Sequence, residues 1–380
     1  MKQLSVVPAP LSFAGAPPER VLVIVTRRIG DVLLATPVLH SIKQAWRDAA
    51  VDVLVFRGTE GFLSGNPDVN RVVTVPERPR FSEQLKLART ILRRYDLALS
   101  LLPGDRPTLY AWIAGKRRVG LMVDEPKARW KQRLLDAWVP FDNTDTHTVR
   151  MHLALLDAIG IPAQAAVLAS WTSHDTQLVQ TLLAPLGSAS YAVIHPYPKF
   201  RYKMWTVDGW IAVARSLTGR GLRIVLTGGG EREECEYVAA VAARVPQALN
   251  LAGQLTLGGT ALVLSKAAVY VGPDTATTHA AAALGVPTVA LYGPTNPVKW
   301  GPWPAGQPSG ANPWTRTGSQ AVKNVRLVQG AGDCVPCAFE GCERHIASVS
   351  ECLSSLPPER VIAAIDALIG SPHLIAQVPN

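Results

Sequence analysis

Short apolar runs alternate along this chain with longer segments in which apolar residues recur at helical spacing. Most of the runs stop at Gly, Pro or Asp, which is typical of buried strands that end in a turn. Strands that alternate with helices indicate parallel sheets, so the pattern predicts an α/β protein. Predicted strands occupy residues 21–25, 51–56, 72–75, 96–102, 119–122, 191–194, 222–226, 269–271 and 288–292. Predicted helices occupy residues 31–45, 81–94, 151–160, 205–217, 259–266, 275–284 and 357–369.

Residues 269–297 hold the strongest pattern, a strand, a helix and a second strand joined by short turns. Asp274 follows the first strand, where it can cap the helix. Ligands of such units bind at strand carboxyl ends beside helix N-termini, whose free N–H groups favour phosphate. An Asp-capped core helix with a buried His is the alternative, and the Gly-Pro-Thr-Asn-Pro turn after the second strand argues against it. The candidate ligand-binding residues are Asp274, Thr275, Ala276, Thr277, Thr278 and His279.

Two further strand ends in the first half carry polar residues. Gly30 and Asp31 follow the strand at 21–25, and Asp31 either caps the next helix or acts in catalysis. Arg106 follows the strand at 96–102, where it can meet an anionic ligand.

The second half adds cations and a glycine run. Lys199, Arg201 and Lys203 fall close together after the strand at 191–194, which suits a diphosphate. The strand at 222–226 leads into a glycine run with Gly229 and then Glu231, a pattern that resembles a nucleotide loop. The run is not G-x-G-x-x-G after the first strand, which counts against an ordinary dinucleotide-binding dehydrogenase.

Length and composition indicate a large soluble protein with two domains, since 380 residues that are 48% hydrophobic exceed one ordinary core. No apolar run reaches the roughly 18 to 20 residues of a membrane helix. Residues 162–187 lack a clear period and predict the linker. Residues 1–150 hold 23 Lys and Arg against 15 Asp and Glu. This basic half suggests an anionic partner or a merely solvated face, and no nucleic-acid-binding module is present in the sequence.

Four of the five cysteines cluster near the C-terminus, at Cys334, Cys337, Cys342 and Cys352. The C-x-x-C start is typical of a metal site, but the second pair is too widely spaced for a standard zinc ribbon. Free thiols or a redox-sensitive pair are the alternative to a structural metal.

Three motifs in combination resemble glycosyltransferase family 9, the heptosyltransferases of lipopolysaccharide core assembly. The first is G-D-V-L-x-x-x-P-x-L at residues 30–39, and the second is Lys-x-Trp at residues 203–205. The third is D-T-x-x-x-H at residues 274–279 followed by V-x-L-Y-G-P-T at residues 289–295. The resemblance covers the chain from about residue 21 to 297.

The resemblance implies the GT-B architecture, with two Rossmann-like domains facing across a cleft. Residues 1–170 would bind the acceptor, residues 171–355 the nucleotide-sugar, and the helix in 356–380 would pack back on the first domain. The implied enzyme is a metal-independent, inverting glycosyltransferase in the cytoplasm, with peripheral contact at an anionic inner-membrane surface. It would move heptose from ADP-heptose to a phosphorylated glycolipid and require no cofactor.

The resemblance also implies a role for each candidate residue. Asp31 is the expected general base and Lys203 the expected leaving-group residue. Arg28 and Arg106 are the expected acceptor-binding residues. The expected donor-binding residues are Lys199, Gly229, Glu231, Asp274, Thr275, Ala276, Thr277, Thr278 and His279.

Two other functions fit the same architecture. A sugar-nucleotide epimerase would form product without an acceptor. A non-catalytic protein that binds sugar nucleotides or glycolipids would never release ADP, and the presence of Asp31 speaks against it.

Overall fold

The computed structural model describes Leu11, Phe13 and residues 16–370. These residues divide into two compact units. The first runs to Leu168 and includes Gly306–Asn312, and the second comprises Ala169–Ala305 and the chain from Pro313 onward. No sequence pattern indicates that 306–312 belongs to the first unit. The sequence-based boundary between residues 170 and 171 stays a prediction.

The first unit is a six-stranded parallel sheet with helices on it. In chain order, its elements are β1 (Arg20–Val25), α1 (Ile29–Leu33), α2 (Thr36–Ala45), β2 (Ala50–Phe56), β3 (Arg71–Val75), α3 (Phe81–Ile91), β4 (Tyr95–Ser100), α4 (Asp105–Ala114), β5 (Gly115–Met122), β6 (Ala137–Pro140) and α5 (Thr148–Asp157).

The strand order of this sheet is β3-β2-β1-β4-β5-β6. Val23 of β1 lies between Val53 of β2 and Leu99 of β4, and all three side chains are fully buried. Burial of such apolar surface provides most of the sheet's stability. The order reverses between β1 and β4, and ligands of open α/β sheets bind at such a switch point.

The second unit is a seven-stranded sheet. In chain order, its elements are α6 (Ser173–Leu183), β7 (Tyr191–Ile194), α7 (Val207–Thr218), β8 (Arg223–Leu226), α8 (Arg232–Ala242), β9 (Leu249–Asn250), α9 (Leu257–Ser265), β10 (Val269–Pro273), α10 (Ala276–Ala283), β11 (Thr288–Tyr292), α11 (Pro297–Trp300), β12 (Gln320–Val322), β13 (Val325–Gln329), α12 (Glu351–Ser354) and α13 (Pro358–Ile369).

The second sheet repeats the organisation of the first. Its order is β12-β13-β11-β10-β7-β8-β9, and only the edge strand β12 is antiparallel to its neighbour. Here the order reverses between β7 and β10, which pair in parallel. The predicted α/β class with two Rossmann-like domains is confirmed.

The helix expected over residues 31–45 is in fact two helices. α1 ends at Leu33 and α2 begins at Thr36. Pro37 has no N–H to continue a helical ladder, and the Thr36 hydroxyl donates to the Leu33 carbonyl over 2.7 Å at the break. Asp31 therefore lies in a short helix of its own.

The segment 162–187, which is predicted to carry the linker, also contains α6. The Thr172 hydroxyl accepts from the Asp175 backbone N–H, and the Asp175 carboxylate accepts from the Thr172 backbone N–H. This reciprocal capping box stabilises the helix start. This helix is not predicted from the sequence because the mixed polar residues of α6 hide its period, and the placement of the linker in this segment stays a prediction.

The last described helix, α13, packs against α7, β11 and β13 of its own unit. The expected return of residues 356–380 to the first unit stays a prediction, because 371–380 lie outside the described residues. Among the residues that the structure describes, no helix is long and apolar enough to cross a bilayer.

Candidate active site

The end of β10 brings together several of the predicted donor-binding residues. Asp274 follows the strand directly, and α10 begins two residues later. The helix cap is Thr275, whose hydroxyl accepts from the Thr278 backbone N–H. The sequence suggests that Asp274 caps this helix, but Thr275 does so instead. The Asp274 carboxylate is therefore available for other partners.

The main partner of Asp274 is Lys203, which lies 71 residues earlier in the chain. Lys203 ends a short 3-10 helix after β7, and its Nζ lies 2.5 Å from Asp274 Oδ2. The two residues meet because β7 and β10 are neighbours in the sheet. Burial alone would raise the pKa of Asp274, but Lys203, together with His279 and the hydrogen bond from Thr295, outweighs it and lowers the pKa. The site therefore holds an ion pair between buried Asp274 and half-buried Lys203 at the switch point of the second sheet.

Two residues at and just after the end of β11 also contact Asp274. The Thr295 hydroxyl donates to Asp274 Oδ2 over 2.8 Å, and Tyr292 Oη lies 3.3 Å from Asp274 Oδ1. Burial raises the pKa of Tyr292 well above its ordinary value, so its hydroxyl keeps its proton. Sequence reasoning missed both residues as site members, although they belong to the motif at 289–295.

His279 lies in α10, and its Nε2 is 3.9 Å from Asp274 Oδ1. Burial lowers the pKa of His279 to about 4, so the ring is neutral at physiological pH. Among the described residues, its Nδ1 has no hydrogen-bond partner. The ring can thus serve as a neutral hydrogen-bonding group toward a ligand, but not as a cation.

The first turn of α10 divides into accessible and buried positions. Thr275 and Ala276 are half-buried, whereas Thr277 and Thr278 are buried. The Thr278 hydroxyl donates to the Pro273 carbonyl over 2.5 Å, so it already has a protein partner. The first N–H groups of a helix lack intrahelical partners, which leaves the start of α10 suited to an anion.

The glycine run lies at the end of β8, the strand next to β7. Gly229 N donates to Glu234 Oε1 over 2.6 Å, and a Cβ at Gly229 would lie 2.7 Å from Glu234 Oε2. Burial raises the pKa of Glu234. The carboxylate that contacts this loop is thus Glu234, a residue that sequence reasoning missed, whereas Glu231 is exposed at the start of α8. The predicted ribose contact of Glu231 stays a prediction.

Lys199 lies exposed in the loop between β7 and Lys203. At the base of this loop, His195 is buried, and its Nδ1 lies 3.1 Å from the Thr227 hydroxyl. Burial lowers the pKa of His195 to about 4, so it too is neutral. His195 therefore joins the ends of β7 and β8, and donor binding by Lys199 stays a prediction.

In the first unit, Asp31 lies just after β1, at that sheet's own switch point. Asp31 is 7% exposed, and its Oδ1 lies 3.3 Å from Arg27 Nε. Burial raises the pKa of Asp31, and the charges of Arg27 and Arg28 offset this only in part. A buried carboxylate with a raised pKa has the property expected of a general base, and that role of Asp31 stays a prediction.

The predicted acceptor-binding residues also belong to the first unit. Arg28 precedes α1, is exposed and acts electrostatically on Asp31. Arg106 lies in the first turn of α4, after β4, where its Nη1 donates to the Glu77 carbonyl and its guanidinium stands 5.1 Å from the Phe56 ring centroid. β1 and β4 are neighbours, so both arginines lie at the carboxyl edge of the first sheet. Their roles stay predictions.

The cysteines are free thiols in this structure. Burial, with a smaller contribution from Cys342, Cys337 and Cys334, raises the pKa of Cys352 to about 11, so this thiol is protonated at neutral pH. Within the described part of the chain, no group of three or more His, Cys, Asp or Glu side chains is placed to hold a metal ion.

Comparison with known proteins identifies one family and consistent relatives. Residues 84–314 match the model of glycosyltransferase family 9 (heptosyltransferase). Lipopolysaccharide heptosyltransferase 3 of Escherichia coli is 28% identical over 72% of this chain and 83% of its own length.

Solved structures show the same fold. The family 9 glycosyl transferase of Veillonella parvula superposes with a TM-score of 0.73 at 20% identity, covering 92% of this chain and 97% of its own. The E. coli ADP-heptose lps heptosyltransferase II gives a TM-score of 0.71 at 21% identity, covering 92% and 98%.

Proposed function

The chain belongs to glycosyltransferase family 9, the heptosyltransferases, and on this premise we propose that it moves a heptose from ADP-heptose to the inner core of lipopolysaccharide. The names of similar proteins support the sugar, the donor and the glycolipid class. The observation that carries the proposal is the Lys203–Asp274 pair beside the open start of α10.

The second unit binds the donor in this proposal. Lys203 and the first N–H groups of α10 place positive charge at one strand edge, which suits a diphosphate. Thr275 and Ala276 are the accessible members of that turn. Asp274, held by Lys203 and Thr295, orients the lysine toward the phosphates, and neutral His279 offers a hydrogen bond to the sugar or phosphate.

The first unit activates the acceptor. Asp31 takes the proton from an acceptor hydroxyl, whose oxygen forms the new bond to the anomeric carbon of heptose while the bond from that carbon to the phosphate oxygen breaks. The electron pair of the broken bond leaves with ADP, whose growing charge Lys203 stabilises. Attack opposite the leaving group inverts the configuration at this carbon.

The acceptor is a phosphorylated glycolipid at the cytoplasmic face of a membrane. Arg28 and Arg106 lie at the strand edge that carries Asp31, and guanidinium groups bind phosphate in a bidentate geometry. The excess of basic residues in the first 150 positions supports the same anionic partner.

The transfer needs no metal ion in this proposal, because Lys203 and α10 supply the positive charge that a divalent cation supplies in other transferases. Whether Cys334, Cys337, Cys342 and Cys352 hold a structural metal is a separate question. Metal content of the purified protein, measured beside a thiol titration, decides between bound metal and four free thiols.

The test is ADP release from ADP-heptose by the purified protein, with and without lipid A–core acceptor, before and after treatment with EDTA. Acceptor-dependent release that survives EDTA is the expected result. Product formation without acceptor would indicate an epimerase. Binding of ADP-heptose without ADP release would indicate a non-catalytic protein or a different acceptor.

A further inference from the structure

Helix α3 carries an apolar stripe that the protein core does not use. Leu87 and Ile91 form its buried side, which packs into the core of the first unit. Phe81 and Leu85 are spaced i, i+4 on a different side, and they are 83% and 40% exposed. Leu92, 59% exposed, continues this stripe just after the helix ends. Exposed apolar residues grouped in this way usually mark an interaction surface.

Helix α4 adds a second exposed apolar pair. Leu109 and Trp112 are spaced i, i+3, and both are exposed. Buried residues of α3 and α4 belong to one core cluster on the same face of the first sheet, so the outer sides of both helices face the same way. Arg93 joins their C-terminal ends, because its backbone N–H donates to the Ile113 carbonyl over 2.9 Å.

Basic side chains border this apolar stripe. Lys86 and Arg89 lie beside it on α3, and Arg94 follows the helix; all three are exposed. Among the described residues, none of the three forms an ion pair within the chain. Together with Ser82, Leu85 and Thr90 they line one shallow depression. Glu83, the acidic residue of the helix, caps the start of α3 and lies 4.0 Å from Arg57.

We propose that the outer face formed by α3 and α4 docks the protein on the surface of an anionic lipid bilayer. A helix that combines an exposed apolar stripe with flanking Lys and Arg lies in the membrane interface, apolar side inward and cations at the phosphates. Trp112 suits the same depth, since an indole ring prefers the boundary between lipid and water. The proposal rests on the proposed function for its membrane context, but it uses none of the proposed catalytic or ligand-binding residues.

The charge complementarity favours lipid over a protein partner. The segment 78–94 holds six Lys and Arg and one Glu, so it presents a nearly uniform positive field. Arg106 lies at the opposite end of α4 from Trp112. Docking through this face therefore sets the strand edge with Arg28, Arg106 and Asp31 at a fixed orientation to the bilayer.

The test is flotation of the full-length protein with vesicles of phosphatidylcholine alone or with equal phosphatidylglycerol, at low and high salt, without donor or acceptor. The wild type should bind only the anionic vesicles and dissociate at high salt. The K86Q/R89Q/R94Q variant should bind about a hundredfold more weakly, at about fivefold per charge. The F81S/L85S/L92S variant should also lose binding.

The matched control, R232Q/R244Q/K266Q, removes three exposed charges from the second unit and should bind like the wild type. Equal loss in this control, or a wild type that ignores anionic vesicles, would overturn the proposal. Circular dichroism should show that all variants fold. Vesicle binding without ADP release would support this docking surface and count against the proposed function. ADP release without vesicle binding would support the proposed function and overturn this docking surface.

Discussion

Asp31 is almost completely buried, and the charges of Arg27 and Arg28 offset only part of the resulting rise in its pKa. Because its pKa is raised in the folded protein, the charged form lowers stability at neutral pH, and this cost disappears as the pH falls and the carboxyl gains a proton. Such a position is costly for stability, which is typical of groups retained for chemistry.

Replacing Asp31 with Asn should separate activity from stability. We expect kcat to fall about 10²- to 10⁴-fold, because the base is lost. Binding of ADP-heptose should be unchanged and the melting temperature equal or higher, because a neutral amide replaces a buried charge. ADP-release kinetics, calorimetric titration and thermal melting measure the three quantities. Asp157→Asn is the control, because Asp157 is an exposed carboxylate of the same unit whose pKa is also raised, by partial burial, and it is not a proposed site residue. Loss of donor binding in Asp31→Asn would make Asp31 structural.

Lys203→Met should cost both activity and stability. The substitution leaves the Asp274 carboxylate buried without its cation, at a cost of about 3 kcal/mol or more. Because the pKa of Asp274 is lowered in the folded wild type, its stabilisation is complete at neutral pH and is lost as the pH falls through that lowered pKa. Denaturant unfolding should therefore show the largest difference between the two proteins at neutral pH and a smaller one in acid.

A second change distinguishes the ion pair from a general effect of the substitution. Lys203→Met combined with Asp274→Asn should recover stability but not ADP release. Lys199→Met, an exposed change in the same loop, should leave stability unchanged. A double variant as unstable as Lys203→Met alone would show that Lys203 does not stabilise the protein through Asp274.

The sequence located these residues because its apolar pattern shows where each strand stops, and Asp31, Lys203 and Asp274 all follow such ends. It could not show which strand ends are neighbours. The contact of Lys203 with Asp274 depends on the pairing of β7 with β10, which no local pattern encodes. Glu234 was missed for the same reason, since its place against Gly229 depends on how the loop folds onto α8.

At the scale of elements, the sequence-based predictions miss segments that are held by polar contacts and lack a periodic apolar pattern. β5 begins at Gly115, four residues before the predicted strand 119–122, so the basic run 116–118 is part of the strand. The Arg118 guanidinium there donates two hydrogen bonds to the Asp136 carboxylate, and the Arg118 backbone N–H donates a third. Helix α6 was missed because its mixed polar residues hide the apolar period, although Thr172 and Asp175 carry the spacing of a capping box.

Asp175 connects two helices, and its removal should cost more than one cap. It accepts from Thr172 at the start of α6 and from the hydroxyl of Thr256, which caps α9. We expect Asp175→Ala to lose about 2 kcal/mol or more of unfolding free energy, measured by urea denaturation. Burial works against the charge, but the hydrogen bonds from Thr256 and Thr172 lower the pKa of Asp175. Its stabilisation is therefore present at neutral pH and lost as the pH falls through the lowered pKa.

The control is Asp208→Ala, which removes an exposed acidic residue from the first turn of α7. It should change the unfolding free energy by less than Asp175→Ala does. Equal losses in the two variants would mean that Asp175 acts only through the helix dipole and not by joining α6 to α9.

At the scale of the whole molecule, the chain does not simply run from one unit into the other. Gly306–Asn312 belongs to the first unit, although the second surrounds it in sequence. Asn312 Oδ1 accepts from the His147 backbone N–H, and its Nδ2 donates to the Asp145 carbonyl.

Asn312→Ala should therefore lower the unfolding free energy of the first unit by about 2 kcal/mol. Thermal melting tests this, with the exposed Asn143→Ala as the control; equal melting of both variants would contradict it.

The repeated strand order has a consequence for how such a protein can diversify. The groups proposed to read the acceptor follow β1 and β4, and those proposed to hold the donor follow β7 and β10, in a different sheet. The hydrogen bonds around Lys203 and Asp274 are made by residues of the second unit, outside the loops after β1 and β4. Selection can therefore alter the choice of acceptor while the donor chemistry is inherited intact, so descendants of one ancestor can come to decorate different glycolipids.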